Sequence, residues 1–64
     1  MEIGLKIKEF RKKNNISQAA LAKKIKTLNQ SQICKIENGK RDIKVNEVTD
    51  MAKVFNISVS KIIS

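Results

Sequence analysis

Sixty-four residues with a net charge of +8, from 14 Lys and Arg against 6 Asp and Glu, make one small domain with a basic surface. A single cysteine and no histidine exclude a disulfide framework and the common metal-site patterns. No apolar run approaches the roughly 20 residues that span a bilayer, and without proline and with only two glycines the chain is not a linker.

The first helix is expected from Ile3 to about Asn14. Ile3, Ile7 and Phe10 recur at i, i+4, i+7, and Leu5 lies off that stripe. Asn14-Asn15 ends it. Ser17 is suited to cap a second helix, with Ile16 before it as a staple residue and Leu21, Ala22 and Ile25 facing inward. A turn, Lys26-Thr27-Leu28-Asn29, follows, and Asn29 caps a third helix from Gln30 to about Asn38. Gly39 fits a left-handed stop. After a loop from Lys40 to Lys44, a fourth helix carries Val45, Val48, Met51, Ala52 and Phe55 inward and stops at Asn56. Ser58 caps a short last helix with Val59, Ile62 and Ile63. The expected fold class is all-α, a five-helix bundle filling residues 1–64 as one domain.

The third helix carries the chemistry. At 100° per residue, Ile33 and Ile36 define its inner face, while Ser31, Cys34, Lys35 and Asn38 point roughly opposite and Gln30 occupies the exposed first turn. A helix entering the major groove of DNA uses its N-terminal residues to reach base edges. Glutamine suits adenine and lysine suits guanine, so Gln30, Ser31 and Lys35 are the candidate base contacts, with Gln32 and Cys34 beside them. Gln18, at the amino end of the second helix, and Asn29, Asn38, Lys40 and Arg41, flanking the third, are candidate phosphate contacts. Basic clusters at Arg11-Lys12-Lys13, Lys23-Lys24 and Lys40-Arg41 suit a polyanion. Single-stranded nucleic acid is disfavoured, because Phe10 and Phe55 are the only aromatics and both read as core.

Arg11 follows core residue Phe10 and Glu37 follows core residue Ile36, so the two are expected to form a partly buried structural ion pair that sets the angle of the third helix. Glu47 and Asp50 read as part of a solvated salt-bridge face with Lys44 and Lys53 rather than as paired catalytic acids. Val59, Ile62 and Ile63 make a small apolar patch, read as a dimer interface in preference to a closure of the monomer core.

In these residues the chain resembles the lambda-repressor-like helix-turn-helix family, which includes phage repressor and Cro domains and bacterial regulators of the xenobiotic-response-element type. The resemblance runs from Ile3 to Ile63 and rests on Ile7…Phe10-Arg11, Ile16-Ser17-Gln18, Leu21-Ala22, Ile33…Ile36-Glu37-Asn38-Gly39-Lys40, Ala52…Phe55 and Ile57-Ser58-Val59. It implies five helices, with the second and third forming the helix-turn-helix, and a transcription regulator that binds a palindromic operator as a homodimer. It also places Gln18, Gln30, Ser31 and Lys35 at DNA-contacting positions, Asn38 and Lys40 at phosphate-contacting ones, and Arg11 with Glu37 at a buried ion pair. The chain departs from the family in three places. Its turn between the second and third helices is one residue longer than usual, with Lys26 where glycine is common, leaving the start of the reading helix open by one position. Ile43 replaces a common proline, and Lys44 stands where Ser often caps the fourth helix, so that loop reads as looser than in relatives.

The expected partners are double-stranded DNA and a second copy of the chain, with no cofactor, metal, membrane or small-molecule ligand. A lone cysteine and no leader segment point to the cytoplasm, at the nucleoid. Phage-type repressors, restriction–modification controllers and antitoxins are all compatible with the pattern. The competing readings are a protein-interaction module of the same fold, such as an antitoxin with weak DNA binding, and a membrane-active basic peptide. An enzyme is not expected, because the only thiol has no base partner and no phosphate-binding loop is evident.

Overall fold

The computed structural model describes residues 3–63, and these form five helices: α1 (Ile3–Lys13), α2 (Gln18–Ile25), α3 (Gln30–Glu37), α4 (Val45–Phe55) and α5 (Val59–Ile63). Among the described residues there is no strand. Each helix supplies one fully buried side chain to a common core: Ile7, Leu21, Ile33, Met51 and Ile62. Burying a side chain of that size contributes about 1.5–3 kcal/mol, so no single helix dominates. Phe10 is half-buried and its ring lies 6.0 Å from that of Phe55, joining α1 to α4.

Local chemistry sets the helix ends. Ser17 Oγ accepts the Ala20 N–H (3.0 Å) at the start of α2. At α3, Asn29 Oδ1 accepts the Gln32 N–H (2.8 Å) while Gln32 Oε1 accepts the Asn29 N–H (2.9 Å), a reciprocal capping box. This box settles the position left open by the long turn, because α3 begins at Gln30. Asn15, Gly39 and Asn56 have φ of 57°, 73° and 56° and end α1, α3 and α4 in the same way. In each case the next residue's N–H reaches back to close a six-residue loop: Ile16 to Arg11 O, Lys40 to Lys35 O, Ile57 to Ala52 O. Ser58, expected to cap α5, has its hydroxyl 3.0 Å from that of Ser60.

α2 ends differently. Lys26 has φ 70° and ψ −30°, and the Thr27 N–H donates to Ile25 O across it (2.8 Å). This is a γ-turn of positive φ, a strained conformation for a residue with a Cβ. The four-residue turn then delivers Leu28 into the core, 4% exposed, a role its isolated position in a polar stretch does not signal. Lys26→Gly is expected to stabilise the chain by about 0.5–1 kcal/mol, the relief of positive-φ strain less the entropy of glycine. A higher urea midpoint at unchanged slope is the signature, and a lower midpoint would show that Lys26 is not strained.

Two expectations of burial are corrected. Val45 follows the apolar period of α4 yet is 82% exposed, because it occupies the first turn, beyond the last packed layer, and Glu47 takes the inward place there. Ile62 cannot face a partner, since it is completely buried in the chain's own core. A five-residue helix has room for one inward position, and Ile62 fills it. Ile63 is half-exposed and Val59 partly so.

Candidate nucleic-acid interface

α3 is held to the body by the ion pair at its carboxyl end. Arg11 Nε donates to Glu37 Oε2 (2.7 Å) and Nη2 to Oε1 (3.0 Å), both groups being buried. The third arm, Nη1, donates to Ile16 O (2.9 Å) in the α1–α2 connection. Glu37 Oε1 accepts a further bond from Gln18 Nε2 (3.0 Å). One carboxylate therefore joins the end of α1, the start of α2 and the end of α3. Hydrogen bonding to Glu37 raises the Arg11 pKa, against the opposing effect of burial, so the guanidinium stays charged at every accessible pH.

With that end fixed, α3 presents Gln30, Ser31 and Lys35 to solvent, with Asn38 one turn further on. Cys34 lies between them, partly buried, and accepts a weak bond from Asn38 Nδ2 (3.4 Å). Gln32 is drawn into the capping box and its carboxamide oxygen is thereby committed to structure. The one acid on α3 is Glu37, which is buried, so the exposed face of the helix carries no negative side chain.

The residues expected at phosphates divide. Lys40 is exposed immediately after the α3 stop. Asn29 is exposed with its oxygen committed to the cap, and Gln18 is half-buried with one amide proton given to Glu37. Arg41 is turned toward the body: Nη1 and Nη2 donate to Glu47 Oε1 and Oε2 (3.0 and 3.1 Å), so both terminal nitrogens are engaged. Glu47 is itself 5% exposed and also accepts the Lys44 N–H (2.9 Å), capping α4. It is thus enclosed and paired with Arg41, rather than part of a solvated salt-bridge face. Arg41's hydrogen bonds hold the Glu47 carboxyl below the ordinary carboxylate range, outweighing its burial, with the Lys44 N–H adding to the effect. The expected looseness of residues 40–44 is corrected by the same bonds.

Both arginines are therefore engaged with buried glutamates, and every other cation in the chain is a lysine. Among the described residues no group of acids and thiols is arranged to hold a metal ion, and no helix is long and apolar enough to cross a membrane.

A helix-turn-helix family model matches residues 7–62, spanning α2, α3 and α4 in full and most of α1 and α5. The chain belongs to the Cro/C1-type helix-turn-helix family. This is a family of DNA-binding transcription regulators, not of enzymes. The fold is also similar to the crystal structure of the restriction-modification controller protein C.AhdI from Aeromonas hydrophila. The two share 23% sequence identity at a TM-score of 0.85, over 94% of this chain and 86% of that one. Comparison with curated proteins gives no match. Within this helix-turn-helix, α2 and α3 are the paired helices and the turn at residues 26–29 joins them.

Proposed function

We propose that the chain regulates transcription by binding a specific double-stranded DNA sequence as a homodimer, with α3 in the major groove of each half of an inverted-repeat operator. The observation that carries this reading is the acid-free exposed face of α3, anchored at its far end by the Arg11–Glu37 pair. In this reading Gln30, Ser31 and Lys35 meet base edges. Lys40, Asn38 and Asn29 meet phosphates, and Gln18 uses its remaining amide proton and the free N–H groups of the first turn of α2. Arg41 is left out because both terminal nitrogens of its guanidinium are engaged with Glu47. Half-exposed Ile63, with Val59 beside it, is the patch through which two copies pair, and the cytoplasm is the proposed site of action, in keeping with a lone cysteine. Phosphate contacts made by lysines are point-charge contacts, so affinity falls steeply with salt.

Two substitutions separate reading from anchoring. Lys35→Ala is expected to cost about 1–3 kcal/mol of binding and to relax preference at one base pair. Lys40→Ala weakens binding to all sequences alike and lowers the slope of log K against log salt by about one. Titration of duplexes differing at single base pairs checks both. Equal weakening on every duplex by Lys35→Ala would remove it from the reading set.

A further inference from the structure

Residues 40–44, which follow the stop of α3, are tied at both ends. At one end the Lys40 N–H donates to Lys35 O (2.8 Å) around Gly39. At the other, Arg41 reaches over six positions to Glu47 with a filled two-pronged contact, while its Nη1 also donates to Asp42 O (3.2 Å). Glu47 Oε1 in turn accepts the Lys44 N–H (2.9 Å). The side chains of Arg41 and Glu47 are 24% and 6% exposed, so the acid is enclosed and the arginine covers it. Lys40 stands exposed directly beside this assembly.

We propose that Arg41 and Glu47 form a positioning clamp that holds the segment carrying Lys40 in place for DNA phosphate, with Glu47 itself never touching DNA. This rests on the DNA-binding reading above. The clamp has a consequence opposite in sign to simple charge. Removing a carboxylate from a surface that meets a polyanion strengthens binding through the field alone. If the carboxylate holds a phosphate contact in place, its removal weakens binding instead.

The test uses the full chain and a fluorescent mixed-sequence duplex at low salt, where backbone contacts dominate. Glu47→Gln is expected to weaken binding by about tenfold, within the range of coupling between neighbouring groups, and to lower the salt slope by about one. In its background, Lys40→Ala should cost much less than in the parent, because Lys40 is no longer held in place. Arg41→Lys, which keeps the charge but loses the fork, should weaken binding similarly. Circular dichroism on each variant confirms folding at the assay temperature. Should Glu47→Gln unfold, Arg41→Lys carries the same comparison with Lys40→Ala. Tighter binding by Glu47→Gln, or an undiminished effect of Lys40→Ala in either background, would overturn the clamp while leaving DNA binding intact. A parent chain that ignores the duplex would overturn the DNA-binding reading and the clamp with it.

Discussion

Glu37→Ala is expected to remove a large share of the chain's stability. The substitution strands the buried Arg11 guanidinium, whose Nε and Nη2 lose their acceptors, and deprives Gln18 Nε2 of its partner. Breaking a buried ion pair from one side costs about 3–5 kcal/mol. A chain of this length has a total stability of only about 3–10 kcal/mol. The expected readout is a melting temperature lower by at least about 12 °C, or no cooperative transition at all. The paired apolar replacement Arg11→Met with Glu37→Met removes both charges together and should recover much of the loss. A change below about 1 kcal/mol in Glu37→Ala is what an exposed pair gives, and it would contradict the anchoring of α3 by this carboxylate.

Gly4→Ala is expected to destabilise the chain by about 1–3 kcal/mol, the range for overpacking a tight contact. Gly4 lies in the first turn of α1, where alanine is ordinarily better by about 0.5–1 kcal/mol. Here a Cβ would overlap the carbonyl oxygen of Ile36 and approach Ile36 C and Glu37 Cα at 3.0 and 3.1 Å. All three are backbone atoms of α3 and cannot swing aside. Ile36 O also accepts the Gly39 N–H (3.1 Å), so pushing it away disturbs the stop of α3 as well. A lower urea midpoint and weaker DNA binding are the expected pair of results. A higher midpoint, the ordinary helix effect, would show that α1 and α3 are not in close contact at this point.

The features readable in the chain were those whose chemistry is local or periodic. Ser17, Asn29, Gly39 and Asn56 act on backbone groups within a few positions, so their roles as caps and stops are visible without a fold. The Arg11–Glu37 pair crosses 26 positions, yet each member follows an inward residue of its helix, and that placement brings them together. Other features depend on neighbours that spacing does not name. Arg41 and Glu47 lie six apart across a loop, whereas helix spacing points Glu47 to Lys44 and Asp50. Gly4 reads only as a weak helix residue until α3 is set against it, and Leu28 has no period to mark it as core. Ile62 and Ile63 are adjacent and chemically alike, and only the direction from which α5 meets the bundle decides which is enclosed.

Sequence-specific binding by α3 is tested most directly by selection of bound duplexes from a random DNA pool at physiological salt, followed by sequencing. An enriched inverted repeat is expected, with half-sites centred about one helical turn apart, the spacing a two-fold pair of reading helices requires. Recovery of no preferred sequence would contradict it, and the exposed face of α3 would then not be a reader of bases.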